Sequence, residues 1–400
     1  MISNRIQSIK PSPTFEIAAR VQELRLQGTD VIALNAGEPD FDTPLHIKAA
    51  GIEAIHDGFT RYTAIDGIMR LKEAIQNKFK TQNDLEYALN EIIACSGAKQ
   101  ALSNALFALL NPGDEVIIPT PYWPSYYDGV KLAEATPVVL NTSADHYFII
   151  DPEELQKVIS SKTKILILNS PNNPSGCFYQ ESQLKAIADV LLEYPNITII
   201  SDEIYEHILW DHEYVNILNV MPELKDRTVI INGVSKAYAM TGWRIGYAAG
   251  PKHIIKAMKT IQSQTTSCPS SIAQVAAAEA IESHDESVQE MNDIYYKRMQ
   301  FVLETIPNIP GLKAIAPQGT FFMLIDASEA ISMLKLKDDI ELCTYLINTA
   351  HVALIPGSAF GCKNHLRLSF ACSKSYLQNG LTRIADVLKE GNQIEPSNDN

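Results

Sequence analysis

Lys236 is the residue of this 400-residue chain best placed to act as an amine nucleophile. It lies in Ser235-Lys236-Ala237-Tyr238-Ala239-Met240-Thr241-Gly242-Trp243-Arg244-Ile245-Gly246-Tyr247, directly after the apolar run Thr228-Val229-Ile230-Ile231-Asn232. That run reads as a buried strand, which puts Lys236 at a strand end. Open α/β sheets bind ligands at their strand ends, and a lysine desolvated there has a lowered pKa. Taken alone, Ser-Lys is more simply a solvated loop pair, so the company Lys236 keeps must decide.

Four other stretches supply that company. Ser201-Asp202-Glu203-Ile204-Tyr205 follows the apolar run 197–200. Asp202 could there hold a proton on a heteroaromatic nitrogen, with Tyr205 donating a hydrogen bond beside it. The alternative is a helix-capping Asp. In Asn169-Ser170-Pro171-Asn172-Asn173-Pro174-Ser175-Gly176, two prolines restrict the backbone so that the Asn173 amide keeps one orientation, unless the stretch is a generic turn. Cys95-Ser96-Gly97-Ala98-Lys99-Gln100-Ala101-Leu102 reads as a strand running through a small-residue turn into a helix. Backbone N–H groups and the dipole at such a helix start suit a phosphate, to which Arg244 could add a bidentate charge and Ser235 a hydroxyl. In Pro119-Thr120-Pro121-Tyr122-Trp123-Pro124, Trp123 can stack on a planar ring, although tryptophans more often pack a core. An amine, an acid for a ring nitrogen, an Asn and a Tyr for a ring hydroxyl, a phosphate cradle and a stacking ring together describe a site for pyridoxal phosphate.

The elements that must position these groups alternate. Helical spacing over 15–27 ends at Gly28, and a short strand over 31–34 leads into Ala36-Gly37-Glu38-Pro39-Asp40-Phe41. Helices are expected at 44–57 and 67–80. Strand-like runs stand at 91–95, 115–118, 136–140, 164–169, 197–201, 228–233 and 244–249. Seven such runs alternating with helices predict an α/β fold, a mostly parallel sheet covered on both faces. Beyond Pro251 the text becomes helical, and strands return at 311–315, 320–326, 352–355 and 365–369 with helices near 337–349 and 376–390. This sparser part predicts a smaller α+β domain, joined by the N-terminal segment. The expected division is a large domain over 39–288, a small domain from 1–38 and 289–391, and a polar tail over 392–400.

A net charge of -14 disfavours nucleic acid or an anionic membrane as partner. The six cysteines show no CxxC and no Cys/His cluster, so free thiols are expected rather than disulfides or a metal site. No apolar run reaches membrane-spanning length, and residues 1–13 lack a signal-peptide core, so a cytoplasmic protein is expected.

Over nearly its whole length, from about Arg5 to Leu388, the chain resembles the class I aminotransferases of the fold-type I pyridoxal-phosphate superfamily, and most closely their bacterial aspartate aminotransferase branch. The resemblance is carried by residues 36–41, 170–176, 201–205 and 239–247 as quoted, and by His365-Leu366-Arg367-Leu368-Ser369-Phe370. It implies that Lys236 carries pyridoxal 5'-phosphate through a Schiff base, that Asp202 partners the ring nitrogen, and that Asn173 and Tyr205 serve the ring hydroxyl. Trp123 would stack on the ring. Gly97, Ala98, Lys99, Ser235 and Arg244 would surround the phosphate, with Tyr62 reaching the cofactor of a neighbouring subunit in a homodimer. Arg367 would grip the substrate α-carboxylate, with Gly37 against the same substrate.

The resemblance further implies transamination between L-aspartate and 2-oxoglutarate, giving oxaloacetate and L-glutamate, and permits prephenate as acceptor. Lys10, Ser12, Thr14 and Lys99 stand where this branch would bind a distal carboxylate. Competing expectations are an aminotransferase for alanine, aromatic or branched-chain substrates, or a pyridoxal-phosphate lyase on the same fold. A transcription regulator is disfavoured by the short segment before Phe15, and a Rossmann dehydrogenase by the lack of Gly-x-Gly-x-x-Gly after the early strands.

Overall fold

The computed structural model describes residues 2–7, 9, 13–283 and 286–393. Lys10 and Ser12 lie outside the described residues. Thr14 falls in a helix over Pro13–Leu26 whose first side chains are likewise undescribed.

The seven apolar runs form one sheet, built from β1 (Ile92–Cys95), β2 (Glu115–Pro119), β3 (Thr136–Leu140), β4 (Thr163–Asn169), β5 (Thr198–Asp202), β6 (Thr228–Gly233) and β7 (Gly246–Ala249). Their spatial order is β1-β7-β6-β5-β4-β2-β3. Only β7 runs antiparallel to its neighbours; the other pairings are parallel. Every residue of β1, β5, β6 and β7 is buried, as expected for Ile- and Val-rich strands covered on both faces. Side chains alternate between the two faces with a period of two. Along β4, Leu166 and Leu168 join one apolar core while Ile165 and Ile167 join the other.

Two sets of helices complete those cores. Residues of α1 (Leu45–His56), α2 (Met69–Gln82) and the later α6 (Ser271–Glu282) pack on the first face. Residues of α3 (Ala98–Leu109), α4 (Pro124–Leu132) and α5 (Lys252–Thr265) pack on the second. The alanines of α6, Ala276, Ala277, Ala278 and Ala280, are fully buried, their small side chains letting the helix approach closely.

A third apolar core gathers the C-terminal part. Here α7 (Ser287–Thr305) packs with an antiparallel sheet of order β10-β11-β9-β8, formed by β8 (Lys313–Ala314), β9 (Phe322–Asp326), β10 (Ile355–Pro356) and β11 (His365–Ser369). The expected strand over 352–355 divides in two. Val352–Ala353 pairs in parallel with Ile32–Ala33, whereas Ile355–Pro356 pairs with β11, so the chain changes sheets at Leu354. Tyr205, Ile208 and Trp210, which follow β5, belong to this third core and join it to the central sheet.

The stretches carrying Gly97, Trp123, Asn173, Asp202 and Lys236 all leave the same edge of the sheet. The parallel strands β2, β4, β5 and β6 end there, and β1 does as well, because β7 runs opposite to both β1 and β6. This edge is where an open α/β sheet gathers loops around a ligand.

One buried side chain stitches that edge together. Gln262 on α5 is fully buried; its Nε2 donates to Ile65 O at 2.7 Å and to Ala94 O at 2.8 Å, and its Oε1 accepts from Asn104 Nδ2 at 2.9 Å. It thereby holds the loop after Tyr62, strand β1 and helix α3 in one arrangement. Replacing it with near-isosteric leucine leaves three buried polar groups without these partners. Gln262→Leu is expected to cost about 3 kcal/mol in urea unfolding, because each orphaned buried group forfeits its hydrogen bond without recovering water.

Candidate active site

The strand ends enclose a cavity of about 690 Å³ lined by Lys236, Asp202, Tyr205, Asn173, Arg244 and Arg367, among others. Lys236 follows β6 in a turn whose backbone closes on itself, Met240 N donating to Ser235 O at 3.2 Å. Its Nζ reaches across the cavity to donate to Gly37 O at 2.6 Å, and lies about 6 Å from the ring centres of Tyr205 and Phe321. Burial, and then the positive charge of Arg367, bring the amine down to about 8. About a tenth is therefore neutral and nucleophilic at pH 7, far more than for an ordinary lysine.

Asp202 is the last residue of β5, with the fold's core behind it. Its Oδ2 accepts from the Tyr126 hydroxyl at 2.7 Å and its Oδ1 from Ile204 N at 3.3 Å. Burial raises its carboxyl to about 6, against the lowering effect of Tyr126, Ile204 and Lys236. A cationic ring nitrogen would restore the ionised form.

Arg367, on β11, is 4% exposed. Nη1 donates to Asn173 Oδ1 at 3.1 Å and Nη2 to Asn35 O at 3.0 Å, while Nε is buried without a hydrogen-bond partner. Its guanidinium lies 4.3 Å from the Phe322 ring centre and 4.9 Å from that of Phe360. Burial pushes it down to about 10. Phenyl faces on an arginine that still has donor capacity leave it suited to an anion entering the cavity.

The anion cradle forms where β1 turns into α3. Gly97, at φ +89°, caps the helix, and a Cβ there would stand 2.3 Å from Arg244 Nη2. Only glycine lets the guanidinium lie against this turn. A Cβ on Gly246 of β7 would meet Ala98 N at 2.2 Å, so a second glycine admits the helix start to the sheet. Arg244 itself adopts left-handed backbone, φ 56°, and its Nη1 donates to Thr241 O at 3.0 Å. Ser235 and Ala98 complete the wall. A phosphate thus meets a helix N-terminus and a guanidinium together.

Trp123 does stand at the cavity, edge-on to Tyr126 at 5.5 Å, with Lys99 Nζ 4.8 Å from its ring centre. Burial and the neighbouring Arg244 lower the Lys99 amine. Tyr62 is not brought to this cavity; it is 92% exposed on the outside of the chain.

Several residues of the site escaped sequence reasoning. Tyr126 is one; it lies on α4, in the turn after Trp123, and its hydroxyl reaches Asp202. Asn169 is another: its Nδ2 donates to Asp202 O at 3.0 Å and its Oδ1 accepts from Asn173 N at 3.0 Å, tying two strand ends together. The Asn173 amide is oriented by Arg367, and its backbone by Asn169, more directly than by the prolines around it. Asp40 takes both Nη atoms of Arg298 at 2.7 and 2.9 Å, which pins the loop carrying Gly37 to α7. No sequence signal marked that pairing across 258 positions.

A lowered amine, a buried acid, an anion cradle and a buried arginine with a free donor define an enzyme site for a phosphorylated, planar cofactor and an anionic substrate. The residues present fit pyridoxal 5'-phosphate. The chain matches the family model described as aminotransferase class I and II over residues 29–384 and belongs to that family. It is an aminotransferase, and its cofactor is pyridoxal 5'-phosphate. It is 49% identical over 394 residues to an aspartate/prephenate aminotransferase of Nitrosomonas europaea, covering 97% of this chain and 99% of the relative. An aspartate aminotransferase of Rhizobium meliloti is 45% identical over 389 residues, with 96% and 95% covered. The fold superposes on a crystal structure of the aspartate aminotransferase from Rhizobium meliloti with a TM-score of 0.94 at 44% identity, covering 97% of this chain and 99% of that one. A Thermus thermophilus aspartate aminotransferase with maleate gives 0.92 at 42% identity, with 97% and 99% covered.

The raised carboxyl of Asp202 has a stability signature. Its folded value lies above that of an ordinary aspartate, so its contribution is fully present below about pH 4 and is lost as pH rises through about 6. In the cofactor-free protein, Asp202→Asn removes this dependence. Denaturant unfolding across pH should show the variant gaining on the wild type by about 2 kcal/mol between pH 4 and 7. A difference that does not vary with pH would contradict the raised value.

Proposed function

We propose that this chain transaminates L-aspartate with 2-oxoglutarate, giving oxaloacetate and L-glutamate, and that it also accepts prephenate. The observation that carries this is the meeting of Lys236, Asp202 and Arg367 in one cavity beside an anion cradle. The relatives named aspartate and aspartate/prephenate aminotransferase support the substrate class.

Each residue has a task. Pyridoxal phosphate, when bound, supplies an electron sink for the pair released at the substrate α-carbon. Lys236 holds the cofactor and then, as a free amine, takes the proton from the substrate α-carbon and returns it at the next position; its lowered pKa suits both duties. Asp202, backed by Tyr126, would partner the ring nitrogen as a carboxylate. Asn173 and Tyr205 would serve the ring hydroxyl and Trp123 the ring face, and Gly97, Ala98, Lys99, Ser235 and Arg244 would hold the phosphate. Arg367 takes the substrate α-carboxylate through the donor capacity it retains, and Gly37 lies against the same substrate. Lys99 lines the cavity and is a cation for the distal carboxylate, with Lys10, Ser12 and Thr14 assigned to it from the sequence resemblance.

The same reading includes a homodimer. Tyr62 lies outside its own cavity, and Leu45, Ile52, Ile55, Phe59 and Met69 near it in the chain are exposed apolar groups that a second copy would cover. Tyr62 would then reach the phosphate across the interface. Separate cores support a large domain over 39–288 and a small one from 1–38 and 289–391. A cytoplasmic, biosynthetic setting accords with six free cysteines, and among the described residues no helix is long and apolar enough to cross a membrane.

Borohydride reduction of the holoenzyme followed by peptide mapping should place the reduced cofactor on Lys236. Lys236→Ala should lower kcat with aspartate and 2-oxoglutarate by about 10³-fold or more, since both attachment and proton transfer are lost. Label on another lysine overturns the cofactor assignment. Turnover confined to neutral amino acids overturns the substrate assignment.

A further inference from the structure

Behind the turn that carries Asp202 and Tyr205 lies a buried ionic cluster that forms no part of the cavity lining. Lys78 on α2 and Glu206 have side chains only 1% and 4% exposed. The Lys78 ammonium is in contact with Glu206 Oε1 and also donates to Asn83 Oδ1 at 2.7 Å. Asn83 Nδ2 donates to Glu206 Oε2 at 2.9 Å, and Asn232 Nδ2, from β6, donates to Oε1 at 2.6 Å. Both oxygens of Glu206 are thus engaged by donors from two sides of the molecule.

The cluster grips both halves of the site. Glu206 follows Tyr205 directly; its N–H donates to Glu203 O at 3.0 Å, and Glu203 N donates to Ile231 O at 2.8 Å. On the other side, Asn232 lies four residues before Lys236, and its Oδ1 accepts from Gly233 N at 2.7 Å. His207, with Nδ1 3.5 Å from Glu206, sets its ring 6.1 Å from that of Tyr238, two residues past Lys236. The Asp202–Tyr205 turn and the Lys236–Tyr238 turn are therefore referred to one buried carboxylate.

Its charges are balanced. Burial opposes ionisation of Glu206, but Lys78 and the hydrogen bonds more than offset it and hold the carboxyl low. Adjacent Glu203 goes the other way: burial, then the negative charge of Glu206, raise it to about 8. At neutral pH the cluster is one ion pair beside a protonated acid, which keeps net charge away from Asp202. A buried ion pair adds little stability over apolar residues of the same volume, so stability alone gives no reason for it.

We propose that Glu206, with Lys78 and Asn232, is a positioning residue of the transaminase site, fixing the turn of Asp202 and Tyr205 relative to the turn of Lys236. The inference rests on the role given to Lys236 above. Its test uses the holoenzyme and reads the pH midpoint of the cofactor's visible absorbance, which reports on the Lys236 linkage and on the groups facing it, Arg367, Glu38, Arg244 and Asp202. Two variants avoid an unpaired buried charge: Asn232→Ala, which cuts the tie from Glu206 to β6 together with the bond from Gly233 N, and Lys78→Met/Glu206→Gln, which removes both charges and leaves the Gly233 bond in place.

In the variants, the midpoint should move by about half a unit or more and kcat fall about tenfold at little-changed KM, the scale for loss of a supporting partner. Melting temperature is read in parallel. An unchanged midpoint and kcat in Asn232→Ala, whatever its melting temperature, overturns the inference and leaves the cluster structural. The wild type discriminates the underlying reading: if its absorbance does not come from Lys236, the assignment of that lysine fails first.

Discussion

Desolvation of charge at one edge of a sheet is the constraint on which this molecule depends. Lys236, Asp202 and Arg367 all belong to residue types that water stabilises strongly, and the fold withdraws each from it. The consequences point the same way: an amine made less basic, a carboxyl made less acidic, a guanidinium brought down to about 10. A site so disposed gains from binding a ligand that carries a cationic ring nitrogen and anionic groups. Burial that costs the cofactor-free protein is what makes the groups reactive.

Such groups can be held only by backbone that cannot relax around them. The parallel strands supply it, because each ends in the same plane and delivers one functional segment: Gly97 after β1, Trp123 after β2, Asn173 after β4, Asp202 at the end of β5, Lys236 after β6. Cross-links between ends then remove the remaining freedom. Asn169 ties β4 to β5, Gln262 ties β1 to α3 and the loop after Tyr62, and the Asp40–Arg298 pair ties the Gly37 loop to α7. Two of these three ties are made by an amide, Asn169 or Gln262. Amides offer donors and acceptors without a charge that would add to the three already buried.

Much of this was legible in the chain, and the reason is local. Strand-end position follows from an apolar run and the residue after it, so Lys236, Asp202 and Asn173 could be located from their own neighbourhoods. Seven strands fell within two residues of their observed limits because both faces of the sheet are buried and the runs are continuous. What sequence could not supply were partners far apart in the chain: Tyr126 for Asp202, Arg298 for Asp40, Lys78 for Glu206. The split at Leu354 was equally invisible, since one apolar run contains nothing that says it changes sheets.

The two halves of the chemistry differ in how firmly they are held. Lys236, Asp202 and Arg244 occupy segments anchored at strand ends or pinned by glycines whose Cβ positions are filled. Lys99, in contrast, keeps part of its side chain in solvent and rests on the face of Trp123, a contact of modest strength that a long flexible side chain can leave. The strand-end groups are thus built into the part of the fold that cannot vary without breaking the sheet, while Lys99, on the cavity wall, sits on a rotatable stem. A scaffold so built can alter a few residues at the cavity mouth without disturbing the strand ends that hold Lys236 and Asp202.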